Sequence, residues 1–568
     1  MNQQKLAILR HSTAHLLAQA VLELYPDTIL TIGPPTENGF FYDFLPKTNF
    51  KEEDLVLIEA KMHEIAERNL SLEHQNIPKE VAKNIFKDNK FKLELIDNID
   101  ADTVGLATQG NFSDLCRGGH VNNTNELKHF ILTNISGSYW RADRNGQSLQ
   151  RISGTAFFTK QELEDYIKNQ EDLIKYDHRK LGKQLDLFSF HEEGPGFPFF
   201  HSKGKIIFNK LISYIRSLLD EAQYQEISTP IILSDELWQC SGHYAHYKEN
   251  MYFTFIDERS FAIKPMNCPG AILLYKEKPH SYRELPLRLS EFGLVHRHEL
   301  SGVLNGLLRV RAFTQDDAHI FCMTSQIESE ISDLLKLVIK VLNTFGFEQI
   351  QIALSTKPAK AMGSKELWDN AELALKNALD NSKLKYEVNA ADGAFYGPKI
   401  DFKVKDSLGR LWQLSTIQLD FFQPDNFDLS YINNEGKKDR PVIIHRAIYG
   451  SIERFIGILL EHHKGALPFF ISPEQIRIIP ISKDQLEYSQ LIFEKLKKDK
   501  LRTTIDDSTD SLSAKIKVAQ LSKIPWMVVL GKKEMLEEKV TLRYLDGNQE
   551  SIALNDFIIK ANLLNNCN

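Results

Sequence analysis

Residues 309–321 read RVRAFTQDDAHIF, and their alternation decides how the chain is to be read. At a period of two, Arg309, Arg311, Phe313, Gln315, Asp317 and His319 fall on one face of a strand. Two guanidiniums, an aromatic ring, an amide, a carboxylate and an imidazole make a poor core. They suit a surface that must hold phosphate, a planar base and a polar substrate. Upstream, LPLRLSEFGLVHRHE (285–299) is a second strand-like run, and the Gly/Ser/Asn-rich stretch between them predicts a long hairpin.

Two further blocks flank this hairpin. IIFNKLISYIRSLLDEAQYQEISTPIIL (206–233) has helical apolar spacing and then reads as a strand around Pro230, a residue that stops helices. PVIIHRAIYGSIERFIGILLEHH (441–463) predicts a strand, a turn at Gly450–Ser451 and a helix starting near Glu453–Arg454. A helix N-terminus with an arginine beside it is a natural anion site.

The N-terminal part carries a different constellation. HSTAH opens an apolar helix pattern through Ala14, Leu17, Val21 and Leu24, and its His11 and His15 share one helix face. CRGGH repeats the four-residue spacing with Cys116 and His120. If the pairs meet, they form either a four-ligand zinc site or a hydrolytic pocket in which imidazoles hold a water.

Length and composition bound the rest. At roughly 150 residues per domain, 568 residues suggest three or four domains. An apolar share of 42% with 26% charged residues excludes disorder and low-complexity classes. No apolar run is long enough for a membrane helix, and Met1–Leu17 lacks a secretory pattern, so a cytoplasmic location is expected. Cys116, Cys240, Cys268, Cys322 and Cys567 are too few and scattered for a disulfide framework. The net charge of −7 argues mildly against nucleic acid. From residue 469 onward, however, 15 Lys and Arg face 14 Asp and Glu, so the C-terminal part is close to neutral. There IRIIPI, LEYSQLIFEKLKKDK, LRTTID, SLSAKIKVAQLSK and PWMVVLG alternate strand and helix, predicting a small α/β domain. Four segments result: 1–155, a charged connecting helix over 156–185, 186–468 and 469–568.

The 206–233, 285–321 and 441–463 blocks resemble motifs 1, 2 and 3 of class II aminoacyl-tRNA synthetases. KPMNCPG (264–270), GAFYGPKIDF (393–402) and IQLDF (417–421) narrow the resemblance to the threonyl-tRNA synthetase family of bacterial type. HSTAH and CRGGH are similar to that family's editing domain. SGSYWRADRNGQSLQRISGTAF (136–157) and DHRKLGKQLDLF (177–188) are similar to its junction with the catalytic domain. The resemblance implies a multidomain α+β and α/β protein. Its parts are an N-terminal α+β editing domain, a class II catalytic domain on an antiparallel sheet and a C-terminal α/β anticodon-binding domain. The family's usual N-terminal ubiquitin-like domain is expected to be absent.

The same resemblance implies ATP-dependent attachment of L-threonine to threonine tRNA through an adenylate, with hydrolytic editing of mischarged seryl-tRNA. It implies one zinc per subunit on Cys268, His319 and His445, and magnesium with the ATP. Gln315, Asp317, Tyr396 and Gln418 would surround threonine. Arg297, Glu299, Arg309, Phe313, Gln413, Thr416 and Arg454 would bind ATP, with Phe313 and Arg454 sandwiching the base. Arg297, Arg454, Lys399 and His243 are the expected catalytic groups. His11, His15, Lys92, Asp114, Cys116 and His120 match the editing pocket, where the family favours water-mediated hydrolysis without a metal. Lys517, Lys523, Glu534 and Arg543 fall where the anticodon is read, and motif 1 implies a homodimer. Gly119, Ala271, His298, Leu300 and Leu414–Ser415 depart from the usual pattern, but no ligand or charged catalytic group is lost. A non-catalytic paralogue would be expected to have lost some of them.

Overall fold

A computed structural model describes residues 2–143, 145–359 and 361–566; Cys567 lies outside them. The chain divides into two compact units, at Glu171 and Asp172.

The first unit opens with helix α1 (Asn2–Leu24), followed by β1 (Ile29–Leu30), β2 (Phe40–Leu45), β3 (Leu72–Pro78), helix α2 (Lys90–Asp97), β4 (Thr103–Gln109), β5 (Phe112–Leu115), β6 (His129–Tyr139) and β7 (Ser148–Phe157). Two sheets form, in the orders β1-β2-β7-β6 and β3-β4-β5. Leu16, Leu17 and Val21 of α1 pack with Tyr42, Phe44 and Ile152 in one core. The expected helix at HSTAH is therefore present and buried on nearly every face from Ser12 onward.

The predicted connecting helix is two helices, α3 (Lys160–Lys175) and α4 (His178–Gln184). The break falls at Tyr176–Asp177, where the Asp177 side chain caps α4 by accepting from Arg179 N. Acceptance by a carboxylate satisfies one of the free N–H groups of a helix start.

In the second unit, α5 (Ser202–Glu221) precedes β8 (Gln225–Glu226), and α6 (Cys268–Lys276) precedes the hairpin β9 (Leu287–His296) and β10 (Ala312–Cys322). Then come β11 (Ile350–Ser355), β12 (Tyr386–Asn389), β13 (Lys399–Lys405), β14 (Leu411–Asp420), β15 (Val442–Ser451) and helix α7 (Ile452–His462). These strands make one eight-stranded sheet, β8-β9-β10-β15-β14-β13-β11-β12. The hairpin pairs without a break from Leu287↔Phe321 to His296↔Ala312. Ile320 and Cys322 face the large core shared with α5 and α7. That burial fixes Gln315, Asp317 and His319 on the opposite face of the strand.

The turn expected at Gly450–Ser451 is instead a bulge at the end of β15. Gln315 pairs with Ser451 and Asp317 with Ala447, so three residues of β15 oppose Asp316 alone. The buried Asp316 carboxylate fills the gap, accepting from Ile448 N at 2.9 Å, Tyr449 N at 3.1 Å and Gly450 N at 3.0 Å. Gly450 has φ +78°, a left-handed backbone that favours glycine. Ser451 then caps α7, accepting from Arg454 N at 3.1 Å.

The C-terminal sheet has the order β17-β16-β18-β19-β20, from β16 (Ile476–Pro480), β17 (Thr503–Ile505), β18 (Trp526–Leu530), β19 (Lys539–Tyr544) and β20 (Gln549–Ala553). The first three are parallel, as the strand–helix alternation predicts, and the last two add an antiparallel edge.

Replacing Asp316 by Ala would leave three buried N–H groups unpaired, each a desolvation cost of about 1–3 kcal/mol. Asp316→Ala is expected to lower unfolding free energy in urea by about 3 kcal/mol or more. Asp316→Asn, which keeps one oxygen acceptor, should cost clearly less.

Candidate functional site

Sheet register assembles the main site. One row runs across the strands as Leu289↔His319↔His445↔Gln418↔Lys399. Cys268 reaches the same place from the N-terminus of α6. One ligand atom each of Cys268, His319 and His445 lies within 4.8 Å of the others, and all three residues are buried. His319 Nε2 is a buried nitrogen without a hydrogen-bond partner. His445 Nε2 lies 2.9 Å from Asp420 Oδ2. One soft thiol and two imidazoles, with an orphaned nitrogen among them, fit a zinc that keeps an open coordination position. Without a cation, burial pushes the Cys268 thiol well up, and a bound cation would reverse that.

Around this cluster, Asn267 Nδ2 donates to Asp317 Oδ2 at 3.2 Å. Burial pushes the Asp317 carboxyl up to about 6, against the pull of His445. Tyr396 donates its hydroxyl to Gln418, and its ring lies 5.3 Å from that of His445. His243 is buried, with Nδ1 2.8 Å from Ser241 Oγ and Nε2 3.8 Å from Cys268 Sγ. It thus sits against the Cys268 end of the site.

Gln315, two residues before Asp317 on β10, lines a cleft of about 470 Å³. Arg297, Glu299, Arg309, Phe313, Gln413, Thr416 and Arg454 line it too. The Arg297 guanidinium lies 5.0 Å from the Phe313 ring centre. Arg309 pairs with Glu299 at 2.9 Å. Lys399 Nζ is 2.8 Å from Asp401 Oδ2, and Gln413 donates to the other oxygen of Asp401 at 2.7 Å.

Arg311 departs from the predicted face. It lies before the first residue of β10 and braces the loop instead, donating to Glu299 O at 2.9 Å and Pro195 O at 3.0 Å. Trp412 and Glu453 carried no signal in the sequence, yet both support the cleft. The Arg454 guanidinium is 5.7 Å from the Trp412 ring centre. Burial pushes Glu453 up to about 7, and its carboxylate accepts from Thr314 N at 2.9 Å. A long-range pair between a helix and a strand has no local periodicity by which to find it.

The first unit has its own cleft, about 860 Å³, lined by His11, His15, Lys92, Asp114 and Cys116. His11, His15, Cys116 and His120 do converge, with ligand atoms within 4.8 Å of one another. Cys116 Sγ lies 3.0 Å from His120 Nε2 and 3.6 Å from His11 Nε2. Gly118 and Gly119 hold φ +94° and +84°. Proline, fixed near φ −65°, cannot adopt the second, so this loop takes a path open to glycine and closed to proline at 119. Beneath lies a buried polar group: Asp114 accepts from Tyr42 OH at 2.7 Å, pairs with Lys92 and lies 3.3 Å from His15 Nδ1. Asn89 caps α2 by accepting from Lys92 N at 3.1 Å, which helps fix where Lys92 enters.

Burial alone would raise the Cys116 thiol, but contacts from His11, His120 and His15 bring it down to about 3. Burial would lower His15, but Asp114 and Cys116 carry it up to about 9. Both shifts favour the charged forms of the two groups, a thiolate and an imidazolium.

The proposed anticodon residues separate. Lys517 is exposed on the helix Leu512–Leu521. Lys523 Nζ lies 5.8 Å from the ring centre of Tyr176. Glu534 is engaged locally, accepting from Gly531 N at 3.0 Å and Thr541 Oγ1 at 2.8 Å. Arg543 lies on β19, its Nε buried and unpartnered. Among the described residues no helix is long and apolar enough to cross a membrane.

Comparison with known proteins agrees with this layout. Residues 253–463 match the tRNA synthetase class II core domain (G, H, P, S and T). Residues 475–562 match the anticodon binding domain. Residues 104–153 match the threonyl and alanyl tRNA synthetase second additional domain. The chain is 50% identical over 557 residues to the threonine–tRNA ligase of Clostridium tetani (strain Massachusetts / E88), covering 97% of this chain and 87% of that one. It is 52% identical over 539 residues to that of Carboxydothermus hydrogenoformans, covering 94% and 85%. A solved structure, the RNA binding domain of threonyl-tRNA synthetase from Cryptosporidium parvum Iowa II, aligns with TM-score 0.65 and 43% identity, covering 68% of this chain and 98% of that one. A putative threonyl-tRNA synthetase from Aeropyrum pernix aligns with TM-score 0.61 and 31% identity, covering 69% and 95%.

Because its thiolate persists far below neutrality, Cys116 is expected to react with iodoacetamide at a rate already flat between about pH 5 and pH 8. A free thiol such as glutathione still accelerates through about pH 8.5. Mass spectrometry of the Cys116 peptide across pH reads the difference, and His120→Ala should move the profile toward that of the free thiol.

Proposed function

The chain belongs to the threonyl-tRNA synthetase family, and on that premise we propose that it activates L-threonine with ATP as an adenylate and transfers it to threonine tRNA. The observation that carries this reading is the run Gln315, Asp317, His319 on one face of β10. It joins a nucleotide-sized cleft to a Cys/His cluster without leaving the strand.

Cys268, His319 and His445 would hold zinc, and a bound zinc supplies a Lewis-acid position for the amino and hydroxyl groups of threonine. Asp317 and Gln315 stand beside it to orient the amino group, and Tyr396 with Gln418 closes the other side. A site built to take up a hydroxyl rejects valine strongly, because the isostere would leave buried polar groups unpaired. In the cleft, Arg297 faces the α-phosphate, Phe313 and Arg454 offer flat faces to the adenine, and Glu299 holds its amino group. Arg309 and Lys399 are further phosphate contacts. The threonine carboxylate needs no base to attack, so the arginines act by placing and neutralising charge, with magnesium accompanying the ATP. His243, close to Cys268, is the candidate for the ribose proton in the transfer step.

Serine differs from threonine by one methyl, worth roughly 1–3 kcal/mol or about 10–200-fold. That gap calls for the second cleft. There His11 or His120 would deprotonate a water held against a mischarged seryl ester, with His15 and Cys116 beside it, while Lys92 and Asp114 fix the geometry from below. The near-neutral C-terminal domain would read the anticodon, with Lys517 and Arg543 presented to it. The exposed Ile231 and Ile232 that end the motif 1 stretch are the apolar surface a homodimer would cover.

Threonine-dependent ATP–pyrophosphate exchange tests the main reading. Exchange is expected with threonine, and Cys268→Ser should drop bound zinc well below one per chain and abolish exchange. No exchange with threonine, or faster exchange with another amino acid, overturns it. For the second cleft, His11→Ala should leave threonylation within about twofold while seryl-tRNA accumulates, because a lost acid–base group costs about 10²–10⁴-fold in hydrolysis. Seryl-tRNA hydrolysis at the unaltered rate would sink that assignment.

A further inference from the structure

His178 is buried in the segment that precedes the catalytic domain, and both its ring nitrogens are engaged. Nδ1 lies 2.6 Å from Glu461 Oε1, and the same oxygen accepts His178 N at 3.0 Å. Nε2 accepts from Leu307 N at 3.0 Å. A backbone N–H only donates, so Nε2 carries the lone pair and Nδ1 the proton. Asp177, His178 and Glu461 are close enough to suggest a metal site, but the ring has no nitrogen left to give one.

What His178 holds is the wall of the nucleotide cleft. Leu307 and Leu308 both line that cleft. Contact is so close that a Cβ on Gly306 would stand 2.2 Å from His178 Nε2, and Gly306 has φ +49°. The other side of the ring leads to the same cleft. Glu461 pairs with Arg410, Arg410 and Trp412 Nε1 both bond Asp406 Oδ2, at 2.9 and 2.8 Å, and Arg454 lies over Trp412.

We propose that His178 is a positioning residue for ATP: its Nε2 sets the Leu307–Leu308 wall, while its Nδ1 bond to Glu461 orients the ring. The inference rests on the nucleotide reading of the cleft. It makes the junction ahead of the catalytic domain part of the ATP site, although no junction residue is among those that line the cleft.

Glutamine and asparagine separate the two ends of the ring. Glutamine reaches as far as Nε2 and can accept from Leu307 N–H. Asparagine reaches only as far as Nδ1 and keeps the Glu461 bond alone. In threonine-dependent ATP–pyrophosphate exchange, His178→Asn should raise the KM for ATP roughly tenfold, the size of one lost buried hydrogen bond. The threonine KM and kcat should stay within about threefold, and His178→Gln should restore the ATP KM to within about threefold of the wild type. If His178→Asn does not fold, Gly306→Ala presses on the same contact from the loop side, and it should raise the ATP KM selectively. An unmoved ATP KM in the folded variants overturns the inference. So does an equal loss in Gln and Asn variants spread over kcat and both KM values, since that marks a merely structural histidine. Failure of the wild type to exchange overturns the nucleotide reading and this inference together; normal wild-type exchange with unmoved variants overturns this one alone.

Discussion

The register of the central antiparallel sheet is the constraint on which the rest depends. β10 is paired along both edges, to β9 and to β15. Its side chains alternate between the large apolar core and the opposite, polar face, so a slip of one residue would turn Asp317 and His319 into that core and push Ile320 toward the site. The same register lines up His319, His445, Gln418 and Lys399 across four strands, though they come from points spread over more than a hundred residues of chain. The ligand cluster is a consequence of pairing that is paid for by the apolar face beneath.

Local irregularity gives the site its shape. Three residues of β15 oppose Asp316, and its carboxylate takes up the three N–H groups that the bulge would strand. That detour delivers Ser451 as the cap of α7 and Arg454 into the cleft. Buried charge is treated alike in the first unit. Lys92, Asp114 and Tyr42 satisfy one another, with His15 3.3 Å from Asp114, below a cleft whose histidines pull the Cys116 thiol down. Both clefts rest on polar groups removed from water, which are rigid only while every partner is present.

Much of this was legible in the chain itself. Period-two alternation in 309–321 placed Gln315, Asp317 and His319 on one face, and the paired spacings HSTAH and CRGGH marked the four ligand-type side chains that the fold brings together. Alternation failed for Arg311, because a loop residue obeys its nearest carbonyls rather than the pleat. Glu534 and Lys523, proposed with Lys517 and Arg543 to read the anticodon, also have contacts that no spacing foretold, Glu534 with Gly531 N and Lys523 near the Tyr176 ring. Gly119, a departure from the pattern, proved to be a conformational requirement of this loop.

By itself the amino-acid order determined which segments form strands and helices and which side chains share a face, because periodicity and caps are local properties of the chain. It also carried the family, through motifs spread along most of its length. Tertiary structure alone decided which distant residues meet: Cys268 with His319 and His445, Asp316 with the bulge of β15, and His178 with the wall of the cleft proposed to take the nucleotide. Those meetings depend on register and packing between elements, and no spacing along the chain encodes them.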